Sequence, residues 1–141
     1  MTIATSLGFP RIGAHRALKA ALEAFWSGQT GEADLLAEAA RLRAAHWDRQ
    51  RRLGISHIPS GDFALYDHVL DTACMLGAIP PGYGWTGGPV GLATGFALAR
   101  SARGTQPEAE AGITPGLPAL EMTKWFDTNY HYLVPVLAPD Q

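Results

Sequence analysis

Ile55-Ser56-His57-Ile58-Pro59, set between Gly54 and the turn residues Ser60-Gly61-Asp62, is the stretch on which the fold turns. Five residues are too few for a stable helix, and an isoleucine-bearing run bounded by Gly and Pro reads as a short buried strand. Upstream, residues 32–53 read as a helix. Leu35, Leu36, Ala39, Leu42, Ala45, His46 and Arg49 recur at three- and four-residue spacing, and Gly54 supplies the stop. Its acidic residues Glu32, Asp34 and Glu38 come early and its basic residues Arg49, Arg51 and Arg52 late, the order that suits a helix dipole. Leu18, Leu22 and Phe25 predict an earlier helix over residues 14–26 that ends near Gly28. Before it, residues 2–9 read as a strand running into the Pro10-Arg11-Ile12-Gly13 turn. Downstream, residues 65–76 predict another helix, with Asp62 placed to cap it and Gly77 to close it. Strand, helices, strand, helix is the order of a parallel α/β sheet.

Beyond Gly77 the texture changes. Pro80-Pro81-Gly82, Gly87-Gly88-Pro89 and Thr114-Pro115-Gly116 make residues 78–120 a long Gly/Pro-rich loop region, interrupted by one short helix over residues 91–101. Residues 121–132 are polar and aromatic, and Leu133-Val134-Pro135-Val136-Leu137 reads as a further strand.

A chain of 141 residues suits one domain, and 47% hydrophobic against 17% charged residues marks it as core-forming. A net charge of −2 gives no global attraction to nucleic acid or to an anionic membrane, so any anion site is a local patch. Cys74 is the only cysteine, which excludes an intrachain disulfide and a thiolate-rich zinc site. No basic, apolar leader opens the sequence and no apolar run reaches transmembrane length, so the expected location is cytoplasmic.

Which residues carry chemistry? Arg16 and Lys19, three apart at the start of a helix, share a face with the free N–H groups of its first turn, a combination that suits carboxylates. Arg binds such a group in a fork and Lys as a point charge. Read from the residues alone, the plainer alternative is a pair of solvated surface charges. Lys124, followed by Trp125 and Phe126 and near Tyr130 and Tyr132, suits a carboxylate whose pairing the rings shield from water, or else a surface lysine beside core rings. Asp62, Asp67 and His68 invite an acid–base reading, but adjacent helical residues point to different faces, so the structural reading leads and pocket lining stays open. His15, His46, His57, His68 and His131 are scattered without metal-ligand spacing, and Cys74 among apolar neighbours reads as an inert thiol; no metal site is expected. Gly82-Tyr83-Gly84 and Gly87-Gly88 lack the Gly-Lys-Ser/Thr of a phosphate loop.

Three islands carry a resemblance. They are Leu7-Gly8-Phe9-Pro10-Arg11-Ile12-Gly13 with Arg16, Leu18 and Lys19; Gly61-Asp62-Phe63 with Tyr66-Asp67-His68-Val69-Leu70; and the unbroken run from Glu121-Met122-Thr123-Lys124-Trp125-Phe126 to Asp127-Thr128-Asn129-Tyr130-His131-Tyr132. With the His46-Trp47 pair, and in this order, the chain resembles the start of the cobalamin-independent methionine synthases. The third island is the most specific and the Gly/Pro-rich middle matches least.

The resemblance implies an α/β chain forming a partial (βα)8 TIM-type barrel. A whole barrel takes about 250 residues, so residues 1–141 would form an incomplete N-terminal domain, roughly the first half of the first of two barrels. It implies a methyltransferase that moves a methyl group from 5-methyltetrahydropteroyltriglutamate to homocysteine, without cobalamin. A zinc ion in a C-terminal domain missing here would activate the thiol. Carried over by position, the folate-triglutamate contacts fall on Arg16, Ala17, Leu18, Lys19 and Lys124. The family commonly has Glu where this chain has Ala17, and its loss removes a partner that could orient Arg16. No catalytic residue and no bound metal or cofactor are expected in this chain, nor a nucleic-acid or membrane partner, and by itself it is expected to be inactive. Two alternatives remain, a non-catalytic module binding folate polyglutamate or a partner, and an inactive truncated remnant. The second draws on the ending Ala138-Pro139-Asp140-Gln141 and on Val136, where the family usually continues with an acidic residue.

Overall fold

The computed structural model describes residues 2–138; the closing Pro139-Asp140-Gln141, read above for their bearing on truncation, lie outside it. The described residues divide into two compact units, the first ending at Leu65 and the second beginning at Tyr66.

In the first unit a 3₁₀ turn, Ala14–Arg16, leads into α1 (Ala17–Trp26), followed by α2 (Glu32–Arg52). The two helices pack through the apolar stripes that periodicity marks, burying Leu18 and Leu22 from α1 and Leu35, Ala39 and Leu42 from α2. The predicted stripe is off at its margins, since Leu36 is exposed and Gln50 is buried. That amide is satisfied, because the Ser6 hydroxyl donates to its Oε1 at 2.6 Å and its Nε2 donates to the His46 carbonyl at 3.3 Å. Gly13 is required at the turn. Its φ is +74°, and a Cβ there would stand 2.6 Å from Leu42 Cδ2.

The two strands expected in this unit reduce to a single bridge between Thr5 and His57, and that bridge is parallel. Ser6 N donates to the His57 carbonyl at 3.4 Å, and Ser56 N to the Ala4 carbonyl at 2.9 Å. Direction agrees with the expectation, but extent and burial do not. Ile3 and Leu7 are exposed, because a strand is buried only where layers cover both its faces, and here no such cover exists among the described residues of the unit.

The second unit contains α3 (His68–Met75), α4 (Leu92–Arg100), α5 (Gln106–Glu110), β1 (Met122–Lys124) and β2 (His131–Leu133). Its core gathers Leu70 from α3, Ala97 and Leu98 from α4, Ile113, Leu120 and Leu133. α3 starts later than the spacing predicts, and its cap is Asp67, not Asp62. Asp67 is still extended (φ −143°, ψ 138°) and its side chain accepts from Leu70 N. α4 falls inside the residues expected to form a short helix. α5 was not anticipated, although its signal stands in Thr105-Gln106-Pro107-Glu108, a capping pattern with Pro in the first turn. The Glu108 carboxylate accepts from Thr105 N at 2.8 Å and Arg103 N at 2.9 Å. An antiparallel bridge joins Tyr83 to Ile113, and beside it Gly84 lies so close to the Ala111 carbonyl that no Cβ fits.

β1 and β2 form an antiparallel hairpin with Met122 opposite Leu133, Thr123 opposite Tyr132 and Lys124 opposite His131. A strand over residues 133–137 was expected instead. β2 stops at Leu133, ahead of Pro135, which has no N–H to offer a ladder. The fold is mixed α/β, and its only sheet among the described residues is this hairpin. A partial barrel is therefore not displayed in the strand pairing. Among the described residues no helix is long and apolar enough to cross a membrane.

Candidate functional site

Gly13 opens an unusual backbone. After its own positive φ, His15 (φ 53°) and Arg16 (φ 60°) are both left-handed, a conformation that costs a non-glycine residue roughly 1–2 kcal/mol. The turn therefore makes Arg16 the N-cap of α1 and Lys19 its third helical residue, where the spacing placed both on the opening turns. Two consequences follow for an anion. The first-turn N–H groups are partly spent, Leu18 N on the Ile12 carbonyl at 3.0 Å and Ala17 N on the Ala14 carbonyl. Of the helix N–H groups expected to serve an anion, those of Ala17 and Leu18 already have partners. Arg16 is exposed and makes no ion pair among the described residues. Lys19 Nζ lies 3.4 Å from Glu23 Oε1 across side chains 47% and 59% exposed, a pair worth ~0–1 kcal/mol that a ligand carboxylate can displace.

Ala17 is half-buried, and Leu18 is wholly buried in the helix–helix core, so the Leu18 side chain has no face toward a ligand. Lys124 belongs to the second unit, at the end of β1, exposed and without an ion pair among the described residues. The rings around it in sequence pack on one another. Trp125 meets Phe126 at 5.3 Å and Tyr132 at 5.5 Å, both edge-on. Within β1, strand alternation sets Lys124 on the opposite face from Thr123, whose register partner is Tyr132.

Asp62 and Asp67 have structural partners. Asp62 accepts from Phe9 N at 2.8 Å and holds the loop that leads to Gly13, while Arg11 Nη1 donates to the Ala64 carbonyl at 2.6 Å. Asp67 is only 4% exposed and accepts from Leu70 N (2.9 Å), Leu133 N (3.3 Å) and the Tyr130 hydroxyl. Its tie to the hairpin escaped the sequence reading, and only the Asp-before-apolar-helix pattern signals part of it. His68 is exposed.

A groove of about 520 Å³ runs between residues 9–14 and α2, lined by Phe9, Pro10, Ile12, Arg41, His46 and Arg49 among others. Arg41 is already held in a two-point pair by Glu38, at 2.6 and 2.7 Å. Burial holds the His46 imidazole below its usual pKa, against the pull of Asp62. Burial, with Asp71 second, pushes the Cys74 thiol up to about 11. Among the described residues no group of three or more His, Cys, Asp or Glu side chains is placed to hold a metal ion. The residues present therefore do not fit the zinc that the resemblance implies for longer family members, and no chemistry of that ion is assigned to this chain.

Comparison with known proteins bears on these placements. Residues 3–141 match the family described as "Cobalamin-independent synthase, N-terminal domain", and the chain belongs to it. A 5-methyltetrahydropteroyltriglutamate–homocysteine methyltransferase of Acidiphilium cryptum is 67% identical over all of this chain and 18% of its own length. Relatives of the same name in Caulobacter vibrioides (63% identical, all of this chain, 19% of the relative) and Nitrobacter winogradskyi (57%, 96% of this chain, 18% of the relative) agree. The chain thus spans about a fifth of the length of the curated relatives it matches.

Proposed function

We propose that this chain serves as the folate-gripping part of a longer methyltransferase that moves a methyl group from 5-methyltetrahydropteroyltriglutamate to homocysteine. Arg16, Lys19 and Lys124 each bind a carboxylate of the triglutamate tail. Ala17 and Leu18 shape the turn between the first two cations. The observation that carries this reading is the strained turn at His15 and Arg16, which spends conformational energy at an exposed arginine with no ion pair among the described residues, three positions before Lys19. Strain of this kind collects where geometry serves a ligand. The names of the 67% and 63% identical relatives supply the substrates.

The fold reading completes the proposal. Residues 1–141 form an incomplete N-terminal domain, part of a (βα)8 barrel, with 78–120 as its long connection, and the zinc chemistry resides in a domain outside this chain. The parallel bridge of Thr5 with His57 across two intervening helices supports it, because parallel pairing through a helical crossover is the repeating unit of such barrels. Cobalamin takes no part, in keeping with the family description.

Calorimetric titration of the purified chain with methyltetrahydropteroyl mono- and triglutamates tests the grip. Affinity is expected to rise with tail length. Arg16→Ala, Lys19→Ala and Lys124→Ala are each expected to weaken triglutamate binding about tenfold, the worth of one charge-assisted hydrogen bond. Equal affinity for the two tails would overturn the reading. Methionine formation by the purified chain alone would overturn the placement of the chemistry elsewhere.

A further inference from the structure

We propose that Asp67 and Tyr130 act as a positioning pair that sets the β1–β2 hairpin, and with it Lys124, for a ligand carboxylate; the inference rests on reading Lys124 as a tail contact. A helix cap requires a single bond to the first turn, which Leu70 N supplies at 2.9 Å. Asp67 does more. The same oxygen accepts from Leu133 N at 3.3 Å, and the other accepts from the Tyr130 hydroxyl. Tyr130 and Leu133 bracket His131, and His131 is the register partner of Lys124. One buried carboxylate therefore fixes the returning arm at two points, on either side of the residue that pairs with the lysine.

The connection between the strands is braced as well. Trp125 N donates to the Tyr130 carbonyl at 2.8 Å, and Thr128 N to the Trp125 carbonyl at 3.1 Å. Tyr130 N donates to Thr128 Oγ1 at 3.1 Å, and Phe126 holds a left-handed φ of 46°. A braced tip on two strands of three residues each moves as one piece, so its placement depends on how its base is tied. Loss of the Tyr130 tie leaves the cap on α3 and the Leu133 bond intact but removes the anchor nearer the tip, which raises the entropy cost of presenting Lys124.

The test is a double-mutant cycle in the full chain, read by calorimetry against methyltetrahydropteroyl triglutamate, with Tyr130→Phe, Lys124→Ala and both together. Tyr130→Phe is expected to weaken binding about fivefold to tenfold, and to change it less than about twofold once Lys124 is gone. Amide exchange across residues 122–133 is expected to quicken in Tyr130→Phe, while α3 keeps its protection. An equal effect of Tyr130→Phe in both backgrounds, or unchanged hairpin exchange, overturns the positioning role alone. Lys124→Ala without effect on binding overturns the reading of Lys124 itself, and the pairing with it.

Discussion

His46 packs its ring 4.8 Å from that of Phe9 and 6.3 Å from that of Phe63, and burial keeps its imidazole from taking a proton as readily as in water. A folded-state pKa below the unfolded value, about 6.5, means that protonation favours the unfolded chain. Stability is then full above that value and declines as pH falls below it. The urea midpoint should drop between pH 7 and pH 5, and less so in His46→Gln. Cys74 behaves in the opposite sense, since a thiol raised to about 11 holds few thiolates near neutrality. Its alkylation at pH 8 should run roughly one to two orders of magnitude slower than that of a free thiol, and rise steeply toward pH 10. At this scale the sequence is legible in residue type but not in partner. An inert Cys74 follows from its apolar neighbours, whereas the left-handed turn at His15 and Arg16 has no local signal beyond Gly13. The spent N–H groups of Ala17 and Leu18 were invisible for the same reason.

Elements differ in how openly they announce themselves. α1 and α2 were readable because Leu18, Leu22, Leu35, Ala39 and Leu42 repeat at helical spacing, and burial against one another is what that spacing encodes. The hairpin was not. Met122-Thr123-Lys124 is too short for alternation to stand out, and the stretch before His131 contains no two-residue turn signature. Close packing at glycines makes the elements testable. Gly13→Ala forces a methyl onto Leu42 at a positive φ and should cost about 2–4 kcal/mol in urea unfolding. Gly84→Ala meets the Ala111 backbone, which cannot swing aside, and should cost as much or more. Gly28 is also left-handed but has nothing within 4 Å of an added Cβ, so Gly28→Ala should cost only ~1 kcal/mol.

At the scale of the molecule, the length suits one domain, and the described residues group into two compact units that meet in sequence at Leu65 and Tyr66. That boundary lies inside a run predicted to be helical, without the Gly/Pro or polar linker by which boundaries are usually found. Net charge gives no steering toward an anion, so under the proposed function the triglutamate is held by local cations that salt can screen. Raising salt from about 0.05 to about 0.5 M should weaken triglutamate binding roughly tenfold and monoglutamate binding less, as followed by titration at each ionic strength.

The edge-on meeting of Trp125 with Phe126 and Tyr132 also makes the hairpin an optical device. An indole fixed in a chiral arrangement with two other rings gives a near-ultraviolet dichroism band that a freely turning side chain does not. Half-exposed at the tip, it emits in contact with solvent. Among the four tryptophans of the chain, the one singled out by Trp125→Phe can therefore report whether the hairpin is closed.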